Sequence, residues 1–185
     1  MTTMEADLGG GVLLRPLAPG DAEELAAAYV RNRDHLRPWE PRRPPAFFTA
    51  AGQAARVADM LRARDEGRAF PWVLADGPRI VGVVNVTDIV LGAFRNGHLG
   101  YWVDAGCTGR GLASGAVRFV CDAAVRALGL HRLQASTLVN NAASQAVLRR
   151  NGFERIGLAR AYLHIDGEWR DHLLFERILH DGPPA

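Results

Sequence analysis

The residues best suited to chemistry lie in one run, Leu99 to Ser114, LGYWVDAGCTGRGLAS. An apolar strand there pours into a glycine-rich turn, and the turn opens an amphipathic helix. Glycines at 109 and 111 let a backbone approach an anion closely, and the free N–H groups and partial positive charge of the following helix hold it. The pattern is that of a phosphate cradle. Two familiar phosphate ligands are excluded by residue type. A nucleoside-triphosphate loop needs a lysine after its last glycine, and the chain contains none. A dinucleotide fold wants a third glycine at 114 and an acidic residue for the ribose about 20 residues onward. Position 114 is serine, and His131 to Leu138 holds no carboxylate. A diphosphate ligand free of both requirements remains.

The elements that must position this loop alternate along the chain. Val12 to Pro16 reads as a strand, and Asp21 to Asn32 as a helix begun by an acidic cap after Pro19-Gly20. Pro38 to Pro45 is a proline-rich loop. Ala50 to Arg64 is a second helix, followed by strands at 70–75 and 79–90 hinged on Asp76-Gly77. Strand 98–103 enters the glycine loop. A long helix, Leu112 to Leu128, follows with Leu112, Ala116, Phe119, Val120, Ala123 and Ala127 at helical spacing. A crossover of that length makes strand 131–138 parallel to 98–103. Ala142 to Arg150, capped by Asn141 and closed by Gly152, precedes a terminal hairpin of strands 153–165 and 168–178 turning at Asp166-Gly167.

At 185 residues and 48% hydrophobic, the chain can bury one good core. One domain is expected over 11–180, with 1–10 and 181–185 as flexible tails. No apolar stretch reaches the ~18 residues of a membrane span, and MTTMEADLGGG lacks the features of a signal peptide, so a cytoplasmic protein without a membrane partner is expected. Cys107 and Cys121 have neither metal-ligand spacing nor a secretory context, which favours reduced thiols and no metal. A net charge of +2 with no long basic run gives nucleic acid no electrostatic footing. A homodimer stays open.

Six strings carry a resemblance over Val12 to Ile178. They are LRPL at 14–17, NRDHLRPWEP at 32–41, LGYW at 99–102, NNAAS at 140–144, LRRNGF at 148–153 and IDGEWRDHLLF at 165–175. In this order the chain resembles the RimJ/RimL-type branch of the GNAT superfamily of acetyl-CoA-dependent N-acetyltransferases. The resemblance implies an α/β (α+β) GNAT fold. That is a single mixed, mostly antiparallel twisted sheet of about seven strands with a splayed parallel pair, flanked by about four helices. It also implies acetyl-CoA as cosubstrate. The pantetheine arm would lie in the splay against backbone groups of Tyr101, Trp102 and Val103, since unpaired buried backbone invites a ligand. The diphosphate would rest on main-chain N–H groups of about Gly109 to Ser114, through Gly111, Leu112 and Ala113. Thr108 stands where the family usually has Arg or Gln, and Arg110 remains able to flank the diphosphate.

Acetyl transfer needs a neutral amine, a polarised thioester carbonyl and a proton for the departing thiolate. The resemblance gives the first polarising N–H to the strand near Tyr101 or Val103. It makes Asn141 a pantetheine ligand and Ser144 the acid, while Asn141 also reads as a plain helix cap. The base is unassigned. Relatives carry a glutamate where this chain has Ile156, which leaves Glu154, Glu40 and His98 as candidates. An α-amine near 7.8 needs only about 1 kcal/mol to be neutral at pH 7, and a lysine near 10.4 roughly 4.6. A weak base suits an α-amine or another low-pKa amine, and the resemblance independently implies the N-terminus of a protein as the acceptor. A small-molecule amine and a noncatalytic acyl-CoA-binding module are the alternatives. The acceptor pocket is expected to be walled by Trp39, Glu40, Phe47 or Phe48, Tyr162 and Trp169.

Overall fold

Asp-Gly and Gly-rich turns set the frame of the sheet, because they tolerate the positive φ that tight hairpins demand. The structure, a computed structural model, describes residues 4–183. The strands are β1 (Ala6–Asp7), β2 (Val12–Pro16), β3 (Phe70–Asp76), β4 (Arg79–Val90), β5 (Asn96–Val103), β6 (Arg132–Leu138), β7 (Glu154–Ile165) and β8 (Glu168–Ile178). Among the described residues they form one mixed sheet in the order β1-β2-β3-β4-β5-β6-β8-β7. The sheet thus has eight strands where about seven were expected. The extra one is β1, which pairs antiparallel with β2 at Ala6↔Leu14 and takes residues assigned above to a tail. The outer ends of both expected tails, 1–3 and 184–185, lie outside the described residues.

The helices are α1 (Ala22–Arg31), α2 (Arg33–Leu36), α3 (Ala50–Asp65), α4 (Leu112–Arg126) and α5 (Ala142–Arg150). One face of the sheet is covered by α1 and α3, whose Leu25, Tyr29 and Val57 pack with Val73 and Val83. The other is covered by α4, whose Leu112, Ala116, Val117 and Val120 pack with Trp72, Leu74, Val84 and Leu99. Alternation along β3 and β4 supplies both cores at once. The buried face of α4 holds Leu112, Ala116, Val120 and Ala123 as expected, and it is wider than expected. Val117, Cys121 and Ala124 are buried, and Ala127, beyond the last turn, is exposed. Asn32 interrupts the first helix at φ −103, ψ 12, so α2 is a separate short turn of helix. No helix among the described residues is long and apolar enough to cross a membrane.

The parallel pair is brief. β5 and β6 are in register only over Asn96↔Arg132, Gly97↔Leu133 and His98↔Gln134. Beyond His98, β5 continues against β4 and β6 against β8, so the two strands diverge. β7 carries two irregularities, at Arg155/Gly157 and Ala159/Leu163, which leave Ile156 and residues 160–162 out of register with β8.

Candidate active site

The divergence exposes one edge of β5. The Asp104 N–H donates to the Val81 carbonyl, on the β4 side, while the Arg95 carbonyl accepts from His131 and Arg132, on the β6 side. Backbone groups of successive strand residues point to opposite neighbours. Trp102 therefore bonds toward β4, as its carbonyl crowding against Gly82 confirms. Leu99, Tyr101 and Val103 present their N–H and C=O groups to the gap. Of the three residues expected to line the splay with their backbone, Tyr101 and Val103 do so and Trp102 does not. On the facing strand Thr137 is buried and its hydroxyl has no hydrogen-bond partner. An elongated ligand with alternating donors and acceptors suits such an edge, because orphaned buried polar groups are costly.

The edge runs into the glycine loop. Gly109 and Gly111 adopt φ +76 and +79, the left-handed region that favours glycine, and a Cβ at either would project into open space. Gly111 is the N-cap of α4 and offers no side-chain cap. The first bond of the helix runs from the Gly115 N–H to the Gly111 carbonyl. That leaves the N–H groups of Leu112, Ala113 and Ser114 outside the helical ladder and aimed along its positive end. This cradle fits a diphosphate. Two side chains of the loop are turned elsewhere. Thr108 Oγ1 donates to the Ala105 carbonyl at 3.0 Å, and Arg110 donates to the Gly10 carbonyl at 3.2 Å with its other nitrogen 3.6 Å from Cys107 Sγ. Arg110 clamps the β1–β2 turn instead of flanking the cradle.

A buried polar cluster holds the loop in place. Asp104, at the end of β5, accepts from Arg31 Nε (2.8 Å), Asn32 Nδ2 (2.9 Å) and the Gly106 N–H (2.9 Å), and Asn32 Oδ1 accepts from the Ala105 N–H. Burial would raise this carboxyl, but the bonds from Asn32, Arg31 and Gly106 and the Arg31 charge overcome it and hold it at about 2. Sequence reading missed the cluster, although Asn32-Arg33-Asp34 was quoted for its motif.

Across the gap, the Tyr101 hydroxyl lies 2.9 Å from Ser144 Oγ and 3.1 Å from the Ser144 carbonyl. The pair bridges β5 to the first turn of α5. Asn141 Oδ1 caps that turn by accepting from the Ser144 N–H at 3.0 Å, which leaves its amide nitrogen for a ligand. Burial pushes the Tyr101 phenol up to about 12, against the smaller opposing pull of the Ser144 bond, so it is a neutral donor at physiological pH. The tyrosine was expected to act through its backbone; its side chain joins the site as well.

On the α1 face a pocket of about 590 Å³ opens between α1, α2, the turn at 45–48 and the β7–β8 turn. Tyr29, Phe47 and Phe48 form its aromatic wall, with Tyr29 and Phe47 rings 4.7 Å apart edge-on. Glu40 is mostly buried there; burial raises its carboxyl, more than Arg43 at 3.6 Å and Arg56 lower it. The Trp102 indole N–H donates to the Tyr29 hydroxyl at 3.1 Å, so the pocket adjoins the strand whose far edge lines the gap. Of the residues expected to wall an acceptor pocket, Glu40 lines this one, as do both Phe47 and Phe48. Trp39 is exposed outside the lining, Tyr162 packs on His172, and Trp169, 65% exposed, packs on His164. The hairpin contributes its turn instead: the Asp166 N–H donates to the Glu40 carbonyl, and its carboxylate takes Arg37 and Arg42.

The other candidate bases lie apart from this pocket. Ile156 sits on the first bulge of β7 at 46% exposure, and Glu154 is exposed beside it. His98, with Nδ1 3.8 Å from Asp88, belongs to the β4–β5 surface.

Comparison with known proteins agrees with this geometry. The model of the acetyltransferase (GNAT) domain matches residues 12–154. The [ribosomal protein uS5]-alanine N-acetyltransferase of Escherichia coli is 35% identical over 176 residues, 94% of this chain and 91% of that one. The ribosomal-protein-S5-alanine acetyltransferase of Vibrio fischeri superimposes with a TM-score of 0.94 at 34% identity, covering 98% of this chain and all of the other. Mycobacterium smegmatis RimJ, solved with a CoA disulfide, gives 0.86 at 32% identity over 90% of this chain and 81% of that one. With a family model spanning most of its length and relatives matched almost end to end, this chain belongs to the GNAT family of acetyltransferases.

Proposed function

We propose that the chain moves the acetyl group of acetyl-CoA to the N-terminal α-amine of a protein or peptide, in the cytoplasm. The observation that carries the proposal is the open edge of β5. It leads on one side to the uncapped start of α4 and abuts, through Trp102 and Tyr29, a pocket holding a buried carboxylate. Bound along that edge, acetyl-CoA supplies an activated thioester.

The residues then have separate tasks. Backbone groups of Tyr101 and Val103 pair with the extended arm, assisted by Asn141, and one of their N–H groups polarises the carbonyl. N–H groups from Gly109 to Ser114 hold the diphosphate. Glu40 accepts the proton of the incoming ammonium, for which a carboxyl raised by burial is better matched than an exposed one. The Tyr101 hydroxyl, hydrogen-bonded to Ser144 Oγ, orients that side chain, and Ser144 donates its single proton in a hydrogen bond to the departing sulfur. The relatives named for a ribosomal-protein alanine support an N-terminal acceptor. So does the small cost of neutralising an α-amine, about 1 kcal/mol at pH 7.

The test is thiol release from acetyl-CoA with a lysine-free peptide bearing a free N-terminus, beside an N-blocked peptide with one lysine. The free N-terminus is expected to be acetylated, with kcat/KM rising through an apparent pKa near 7 to 8. Preference for the blocked lysine peptide would overturn the α-amine reading. Activity only on polyamines or aminoglycosides would assign a small-molecule acceptor.

A further inference from the structure

The charge around the acceptor pocket is not balanced. Arg37 and Arg42 both reach the same oxygen of Asp166, each at 3.3 Å, so two guanidinium groups share one carboxylate. Arg33 stacks on the Phe48 ring at 4.7 Å and has no anionic partner among the described residues. Glu40 is matched by Arg43, which itself lies over Phe47. Asp34 is the remaining acid of the lining. The inner wall therefore carries one desolvated carboxylate, and the mouth carries arginines with unused donors. Arg37 and Arg42 are each about two-thirds exposed, which leaves them accessible.

We infer that this pocket selects acceptors bearing an acidic side chain a short distance after the amine, an acidic peptide N-terminus. The inference rests on the α-amine reading above. An ammonium held at Glu40 directs the following residues outward past Phe47 and Phe48. An extended residue spans about 3.3–3.6 Å, so about three residues bring a side chain from the inner wall to the mouth. A carboxylate arriving there meets planar guanidinium forks that bind it in two-point fashion, a geometry lysine does not offer. The pocket volume, about 590 Å³, lies within the usual range for a bound ligand. Aromatic stacking fixes Arg33 and Arg43 in place, which lowers the ordering cost of recognition.

The experiment compares twin peptides with identical first residues and no lysine. One carries Asp or Glu at positions 2 to 4, and the other carries Asn or Gln. With wild-type enzyme at low salt, the acidic peptide is expected to show at least a tenfold higher kcat/KM. The advantage should shrink below about threefold in an Arg33→Gln/Arg42→Gln variant with unchanged acetyl-CoA affinity, and also at high salt. Equal kcat/KM for the wild-type twins would overturn the inference and leave the α-amine activity standing. If neither peptide is acetylated, fluorescence anisotropy of C-terminally labelled twins decides. Tighter binding of the acidic twin upholds the pocket's selectivity while the activity reading fails, and equal binding refutes both. Free aspartate or glutamate acetylated better than any peptide would identify a small anionic amine as the acceptor and also overturn the inference.

Discussion

Ser144→Ala removes a hydroxyl 2.9 Å from the Tyr101 oxygen and leaves the α5 cap intact, because Asn141 bonds the Ser144 backbone. Tyr101 keeps its contact with the Ser144 carbonyl, so the fold should hold. The size of the effect follows from proton affinities. The Tyr101 phenol stands at about 12 and an ordinary thiol near 8.5. Complete proton transfer from that phenol to a thiolate would be uphill by about 5 kcal/mol. The pair therefore acts by hydrogen bonding, with Tyr101 bonded to Ser144 Oγ and Ser144 donating to the departing sulfur, and solvent completes the protonation. A hydrogen bond to a charged group contributes about 1.5–3 kcal/mol. Ser144→Ala should accordingly slow the chemical step about 10- to 150-fold. The bond strengthens in the transition state, so acetyl-CoA affinity should change little. Tyr101→Phe should fall in the same range, and the double variant should lose less than the sum, since the pair works as one unit. Single-turnover thiol release with a saturating peptide acceptor, beside calorimetric affinity, measures both quantities. A wild-type single-turnover rate in Ser144→Ala would refute the role, and a loss confined to affinity would recast Ser144 as a binding residue.

Gly111→Val forces a β-branched residue toward φ +79 with no neighbour to collide with, so the chain should fold while the α4 entrance shifts. Calorimetry should show acetyl-CoA binding at least tenfold weaker, about 1.4 kcal/mol, and unchanged affinity would remove the loop from the site. Asp104 is held at about 2 against 3.8, so its contribution is present above about pH 4 and lost as pH falls toward 2. Asp104→Asn should cost about 2 kcal/mol in urea unfolding at pH 7 and flatten the acid limb between pH 4 and 2. Glu40→Gln should lower kcat/KM for an α-amine peptide at least tenfold at pH 7, whereas exposed Glu154→Gln should change it less than about tenfold. The reverse order would make Glu154 the proton acceptor.

Local chemistry was legible wherever it was written in adjacent residues. The Asp166-Gly167 turn, the uncapped glycine start of α4 and the Asn141 cap of α5 all stand where the sequence puts them, whereas the β3–β4 turn falls one residue later than Asp76-Gly77, at Gly77-Pro78, because Asp76 still pairs with Arg79. β1 was not legible, because two residues show no periodicity and its pairing depends on the turn at Gly9–Gly11. The full width of the α4 face escaped for a different reason. Alanines are spread around that helix, so spacing alone did not show that Ala124 is buried beside Ala123 while Ala127, past the last turn, is exposed. The β7 bulges likewise follow from pairing with β8, which the residues of β7 alone do not display.

The site divides along the same line. Its cosubstrate half is a strand, loop and helix contiguous in sequence, and it could be read from one run of residues. The acceptor half joins Arg37 and Arg42 to Asp166, separated by 129 and 124 positions, and the loop anchor joins Asn32 to Asp104 across 72. The expected wall was mostly aromatic, yet Trp39 and Trp169 ended outside it while charged residues came inside. A charged residue in a sequence reads as solvated surface by default, since burial is expensive unless a partner arrives. Here the partners arrive from the far end of the chain, on the β7–β8 turn. That turn also fixes Glu40 through its carbonyl, so one hairpin closes the pocket, orients the proposed base and sets the charge at the mouth. Under the proposed function, acceptor choice would depend on the β7–β8 turn, and cosubstrate binding on Asp104 and the end of α1. The two halves meet at Trp102 and Tyr29, joined by a side-chain hydrogen bond, and again where Arg31 and Asn32, beside the pocket residue Arg33, hold Asp104.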